Sequence, residues 1–228
     1  MNSSLIAFSI NKMPKYKNIL FDLDGTLVDT GEGIINGVFY ACKEMSISQI
    51  NLQTAKRFVG PPLVESFMNL CGLDKEQATL AAKTFRVYYA DKGKYECEMY
   101  KNIDVVLQKL KENGFNLFVA TSKPTIFAKD ILEKLQLSPF FIEIAGSEMD
   151  NSRSKKYEII NYLVEKYHLS KDETLMVGDK SNDVIGGQKA EVDTLGVLYG
   201  YGDYEEISSS HPTLIKQDVL SILDIIKL

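Results

Sequence analysis

Two aspartates follow a short apolar run near the start of the chain: Ile19-Leu20-Phe21 leads into Asp22-Leu23-Asp24-Gly25-Thr26. In an extended strand, alternate residues face the same side, so Asp22 and Asp24 would lie together. Like charges that close raise each other's pKa, and burial makes ionisation costlier still. A turn accounts for part of the pattern, because Asp-Gly is a strong turn dipeptide and Asp tolerates unusual backbone angles. The fragment also suits a calcium loop. A turn alone does not require the second carboxylate, which leaves a bound cation whose other ligands must be sought elsewhere.

Three further stretches offer suitable groups. Thr121, Ser122 and Lys123 occur in VATSKP; Lys155 and Lys156 follow a polar loop; Asp179 and Asp183 occur in MVGDKSNDV. Oxygen-only ligands without histidine suit a hard cation, Mg2+ above all. A hydroxyl, free backbone N–H groups and a lysine facing that cation suit a phosphoryl group. Together they make a phosphoryl-transfer site, which works by in-line positioning and by stabilising charge on the equatorial oxygens. Each piece has a plainer reading: a helix cap for ATSK, a turn for Gly178-Asp179, a solvated helix face for Lys155-Lys156. Their shared place at strand ends is what joins them.

The elements that would position these residues are legible as short apolar runs: Ile19–Phe21, Phe115–Ala120, Phe141–Ala145, Thr174–Val177 and Thr194–Leu198. Continuous apolar character in runs this short suits strands buried on both faces of a parallel sheet. Between them lie amphipathic stretches, such as Ile103, Val106, Leu107 and Leu110 before Gly114, and Phe127, Ile131, Leu132 and Leu135. Ile159, Ile160, Leu163 and Val164 repeat the pattern. Strand then helix, repeated, predicts an α/β fold with a Rossmann-like, doubly wound parallel sheet core. In such a sheet, ligands bind beyond the carboxyl ends of the strands, where the candidate residues fall.

From about Ile34 to Tyr100 the rhythm breaks into helical periodicity with no convincing strand. Ile35, Val38, Phe39 and Cys42 form one apolar face, Leu63, Ser66, Phe67 and Leu70 another, and Leu80, Ala81, Thr84, Phe85 and Tyr88 a third. So much helix is too long for a crossover and reads as an inserted helical domain. The expected division is a loosely held extension over residues 1–15, a core of residues 16–33 and 101–228, and a helical insertion over 34–100.

The chain of 228 residues, 45% hydrophobic and 25% charged with a net charge of -5, has the composition of an ordinary globular protein. It lacks the basic footprint of a nucleic-acid partner, and no segment approaches the roughly 18 apolar residues of a membrane span. Cys42, Cys71 and Cys97 are too scattered for a zinc site or disulfide framework, which fits a reducing cytoplasm. With only His168 and His211, a histidine triad or multi-histidine metal site has little material.

FDLDGTLVD, VATSKP, a lysine after a polar loop and MVGDKSNDV, in that order, resemble the haloacid dehalogenase superfamily. The motifs span roughly Lys17 to Tyr199. The insertion resembles that family's type 1 helical cap. FVGPPLVESF and Gly200-Tyr201-Gly202 further resemble its phosphoglycolate phosphatase-like branch, whose members include phosphoglycolate phosphatases, pyrophosphatases and 5′-nucleotidases. The resemblance implies a Mg2+-dependent phosphatase of small phosphate monoesters. Asp22 would be the nucleophile forming an aspartyl-phosphate, and Asp24 the general acid and base. Asp22, the Asp24 carbonyl, Asp179 and Asp183 would hold Mg2+. Thr121, the Ser122 N–H and a lysine would bind phosphoryl oxygens; Lys156-Tyr157-Glu158-Ile159-Ile160 fits the family's pattern better than a frame on Lys155. A 5′-nucleotidase or pyrophosphatase on the same scaffold is the alternative, and a phosphomutase or a non-catalytic phosphate-binding protein stands behind it.

Substrate choice would fall to the cap. Gly60 and Pro61 are candidate substrate contacts, since Gly permits close approach and Pro holds shape. Arg57 and Arg86, with Tyr88 and Tyr89 beside the latter, are others. A small phosphorylated metabolite is the expected partner, while substrate identity and the choice between monomer and homodimer stay open.

Overall fold

The computed structural model describes residues 15–47, 50–150 and 153–227. Apart from Lys15, the expected N-terminal extension lies outside the described residues. The chain opens with β1 (Asn18–Phe21) and β2 (Val28–Asp29), then runs through α1 (Gly31–Glu44), α2 (Leu52–Lys56), α3 (Leu63–Cys71) and α4 (Lys75–Asp91). After β3 (Glu98–Met99) come α5 (Ile103–Glu112), β4 (Asn116–Pro124), α6 (Thr125–Lys134), β5 (Glu143–Ser147) and α7 (Lys156–Tyr167). The last part holds β6 (Thr174–Gly178), α8 (Ser181–Lys189), β7 (Asp193–Val197), α9 (Tyr204–Ser209), β8 (Leu214–Lys216) and a 3-10 helix, Leu220–Lys227.

Six strands pair in parallel in the order β5-β4-β1-β6-β7-β8. From β1 the chain works outward on one side through β4 and β5, then returns to build β6, β7 and β8 on the other. The carboxyl end of β1 is therefore the topological switch point, where open α/β sheets bind ligands.

Alternation along each strand divides the apolar residues into two layers. Ile19, Phe21, Leu117, Val119, Leu175 and Val177 pack with Ile103, Leu107 and Leu110 of α5 and Ile131 and Leu132 of α6. Leu20, Phe118, Ala120 and Met176 point the other way, against Ile159, Ile160 and Leu163 of α7. Both faces are thus covered, as the short apolar runs require. Among the described residues, no helix is long and apolar enough to cross a membrane.

Helices α1–α4 gather around a separate apolar cluster of Val38, Ala41, Phe58, Phe67, Ala81, Phe85 and Tyr89, which Phe127 of α6 also enters. At its base β2 and β3 pair antiparallel, Val28 opposite Met99 and Asp29 opposite Glu98. A strand therefore does fall inside the stretch expected to be wholly helical, too short to show a pattern of its own.

Other elements differ from the sequence expectation. β4 does not stop at Ala120 but continues to Pro124 through an irregularity in its pairing with β5, so Thr121–Lys123 lie within the strand's distorted end. Such bulges re-aim side chains. β5 begins at Glu143 because Ser138–Phe140 form a 3-10 turn, leaving Phe141 to meet Phe21 edge-to-face. β8 was not expected at all: its three residues are only half-buried and sit in a polar context. The inward face of α1 is Ile34, Val38, Ala41 and Cys42, with Ile35 and Phe39 turned partly outward. α4 presents Ala78, Ala81, Ala82, Phe85 and Tyr89, leaving Leu80 55% exposed.

Burial decides what each substitution costs. Phe85→Ala should destabilise the protein by about 3–5 kcal/mol, while Leu80→Ala should stay within about 1 kcal/mol of wild type. Urea unfolding midpoints check both, and equal losses would contradict the assignment of the α4 face.

Candidate active site

The parallel ladder carries Asp22 to the sheet's carboxyl edge: its backbone N–H still donates to the Val177 carbonyl of β6 at 2.9 Å. Lys156, the first residue of α7, reaches the same point from the neighbouring crossover. Its Nζ lies 2.8 Å from Asp22 Oδ1 and 2.8 Å from Asp183 Oδ1, and donates to the Ala120 carbonyl at 2.8 Å. All three ammonium donors are thereby used. Lys155 caps α7, exposed to solvent, and takes no part. Burial opposes the Lys156 charge, but the carboxylates of Asp183 and Asp22 overcome it and hold the ammonium above its usual range.

Asp179 follows β6, and Asp183 stands in the first turn of α8. Asp179 accepts from the Tyr201 N–H at 2.7 Å and the Thr26 hydroxyl at 3.3 Å, and Asp183 accepts from the Lys180 N–H at 3.1 Å. Two glycines admit these carboxylates. Gly25 has φ of +81°, and a side chain there would collide with Asp179; one at Gly178 would collide with Asp183. Oxygens of Asp22, Asp179 and Asp183 all lie within 4.8 Å of one another.

This closeness strains ionisation. Burial, then the charges of Asp183 and Asp22, raise Asp179 well above the usual carboxylate range. Burial and the charge of Asp22 lift Asp183 to about 7 despite Lys156. Asp22, Asp24, Asp179 and Asp183 are all buried, as are Lys123 and Lys156. With all four carboxylates ionised, two ammonium groups leave two negative charges uncompensated, the charge of one divalent cation. The donors are all oxygen, so the residues present fit Mg2+.

Asp24 lies apart from that cluster, held by different partners. The Thr30 hydroxyl donates to Asp24 Oδ1 at 2.6 Å, and Lys123 Nζ stands 3.1 Å from Oδ2. Lys123 in turn donates to the Tyr89 hydroxyl oxygen at 2.7 Å. Thr121 is buried, its Oγ1 accepting from the Lys123 N–H at 3.3 Å, and the Ser122 carbonyl accepts from Ser147 Oγ at 2.9 Å.

A cavity of about 80 Å³ opens between the strand ends and the helical insertion. Asp24, Ser122 and Lys123 line its floor side, and Phe58, Gly60, Pro61, Phe85, Arg86 and Tyr89 line it from the insertion. Of the insertion's expected substrate contacts, Gly60, Pro61 and Arg86 are brought here. Arg57 is not: it is the exposed C-cap of α2, because the chain turns at Phe58 and buries that ring instead.

The arrangement offers a carboxylate at a lysine and at a cluster of oxygens suited to a cation, with a second carboxylate facing the cavity. Those are the parts of a nucleophilic displacement at phosphorus with a separate proton carrier. Lys123 has no role legible in VATSKP itself. The available signal was a lysine in an otherwise apolar and small-residue strand end; its partner Tyr89 lies on a helix that no local pattern connects to it.

Compared with known proteins, residues 19–197 match the family model of haloacid dehalogenase-like hydrolases. The chain is 36% identical over 213 residues to the 5′-nucleotidase of Pseudomonas aeruginosa, covering 93% of this chain and 96% of that one. It is 28% identical over 220 residues to the phosphoglycolate phosphatase of Aliivibrio fischeri, covering 93% and 97%. The crystal structure of a predicted phosphatase from Clostridium acetobutylicum has a TM-score of 0.90 at 41% identity, covering 93% of this chain and 99% of that chain.

The carboxylate cluster yields a pH dependence whose sign is fixed. Asp183 has a folded pKa above its unfolded value, so the stability it contributes is full below about pH 4 and is lost as pH rises through about 7. A cation on these carboxylates should reverse that loss. Mg2+ should therefore raise Tm more at about pH 8 than at about pH 5. Scanning calorimetry with and without Mg2+ checks this, and an equal shift at both pH values would contradict it.

Proposed function

The chain belongs to the haloacid dehalogenase-like hydrolase family, and on that premise we propose that it is a Mg2+-dependent phosphatase of small phosphate monoesters, phosphoglycolate phosphatase-like. The observation that carries the reading is the bridge from Lys156 to both Asp22 and Asp183. On this reading the contact supports a nucleophile, a cation-binding carboxylate and a phosphate-neutralising charge acting at one point.

In this reading residues 34–100 form a cap domain over a core of residues 16–33 and 101–228. Asp22 attacks phosphorus, and the bond to the leaving oxygen breaks as Asp24 delivers a proton to it. A water then attacks the aspartyl-phosphate, Asp24 takes its proton, and Asp22 is released as a carboxylate. Thr121, the Ser122 N–H and Lys156 hold the phosphoryl oxygens. Asp22, the Asp24 carbonyl, Asp179 and Asp183 would hold Mg2+, which when bound supplies positive charge against those oxygens. Gly60, Pro61 and Arg86 face the leaving group from the cap. The free thiols of Cys42, Cys71 and Cys97 support a reducing, cytoplasmic setting.

The identity to a 5′-nucleotidase supports a second reading within the same chemistry, nucleoside monophosphates as substrates. A phosphate-release panel containing phosphoglycolate, pyrophosphate, nucleoside monophosphates and sugar phosphates separates the two by rank. Release should require Mg2+, vanish with EDTA and vanish in Asp22→Asn. Lys156→Ala should lose about 100-fold or more, the scale of removing one oxyanion-binding donor, while Lys155→Ala stays near wild type. Full activity in Asp22→Asn, or the reverse order for the lysines, would defeat the assignment.

A further inference from the structure

Asp24 is gripped at both oxygens, by Thr30 and by Lys123, and Lys123 is itself anchored from across the cavity. The ammonium donates to the Tyr89 hydroxyl oxygen and lies 4.5 Å from the centroid of the same ring. Tyr89 belongs to α4, in the helical insertion. Its ring stacks on Phe85 with centroids 5.1 Å apart and meets Phe127 of α6 edge-to-face at 5.5 Å. One aromatic ring is thus clasped by both layers while its hydroxyl holds the lysine.

Stability is a poor explanation for this arrangement. Burying a lysine and an aspartate carries a desolvation penalty that their attraction offsets only in good geometry, and apolar replacements of similar size are often neutral or better. Burial also opposes the Lys123 charge, and the Asp24 carboxylate together with the hydrogen bond to the Tyr89 hydroxyl is what keeps the ammonium above its usual range. A charge retained at such cost, pointed at one carboxylate, is better explained by what that carboxylate does.

We propose that Lys123 and Tyr89 are positioning residues for Asp24: Tyr89 fixes Lys123, and Lys123 holds the Asp24 carboxylate toward the reacting oxygens while the helical insertion is docked. The inference rests on the reading of Asp24 as the proton carrier. It assigns Tyr89 a task in the chemistry from a segment otherwise charged with choosing the substrate.

Leaving groups separate the steps. An alkoxide needs the Asp24 proton as its bond to phosphorus breaks. A p-nitrophenolate departs with the electron pair and needs none. Hydrolysis of the aspartyl-phosphate needs Asp24 in either case, to accept the proton of the attacking water. Misplacing Asp24 should therefore slow both steps with an alkyl phosphate, but only the second with p-nitrophenyl phosphate.

The test is stopped-flow turnover of p-nitrophenyl phosphate with Mg2+ by wild type, Lys123→Met and Tyr89→Phe, beside steady-state rates on an alkyl phosphate. Lys123→Met should release about one nitrophenolate per site in a burst and then turn over about 100-fold more slowly than wild type, within the range of general acid–base effects. Tyr89→Phe keeps the ring and loses only the hydroxyl, so it should show the same shape with a loss of about tenfold, the scale of one hydrogen bond to a charged group. With p-nitrophenyl phosphate KM should fall in step with kcat in each variant, because only the step after nitrophenolate release is slowed, and kcat on the alkyl phosphate should fall in the same order. A raised KM at constant kcat, a slow phase without a burst in both variants, or wild-type kinetics in both would overturn the proposal. Wild type inactive with Mg2+ on every ester would overturn the reading of the site and this inference with it; an active wild type with unperturbed variants overturns the inference alone.

Discussion

Four buried carboxylates around one strand end, against two buried lysines, set the terms for everything near them. Each buried ion carries a penalty of several kcal/mol unless partners replace its water. Lys156 answers for Asp22 and Asp183 together, Lys123 answers for Asp24, and backbone N–H groups of Tyr201 and Lys180 serve Asp179 and Asp183. The remaining excess of negative charge is what makes a divalent cation fit here, and the absence of side chains at Gly25 and Gly178 is what lets the carboxylates approach.

The sheet and the insertion divide the work. β1, β4 and β6 lie side by side, so residues far apart in sequence arrive at one edge with no loop having to bend them there. The first turn of α8 adds Asp183, where a helix N-terminus favours negative charge. The insertion contributes no carboxylate to the cluster; it brings aromatic walls, Arg86 and one hydroxyl. Its own apolar cluster is closed by Phe127 from α6, so its docking onto the core is a packing interaction as well as a polar one.

Much of this was readable before any coordinates. Asp22 and Asp179 could be grouped because each follows an apolar run, with Asp183 four residues beyond Asp179, and a doubly wound sheet gathers such ends. The run of helices between β2 and β3 was readable from periodicity alone. What was not readable depended on three-dimensional neighbours: Leu80 and Phe39 are apolar by type, yet α4 and α1 meet through smaller residues and turn them outward. Arg57 looked suitable by charge and position, but one turn of backbone carries it to solvent. β3 and β8 are too short for alternation to register. Lys123 was visible as a letter, and only the packing of Tyr89 shows why it is buried.

In the proposed mechanism Asp22 becomes covalently phosphorylated during turnover, and peptide mapping of protein quenched with acid in the steady state reads this out. A phosphoryl mass increment should be confined to the peptide carrying Asp22, depend on Mg2+, and increase when hydrolysis of the intermediate is slowed by Asp24→Asn with p-nitrophenyl phosphate. A phosphoryl group found on another residue, or none trapped at Asp22 in that variant while nitrophenolate is still released, would contradict it.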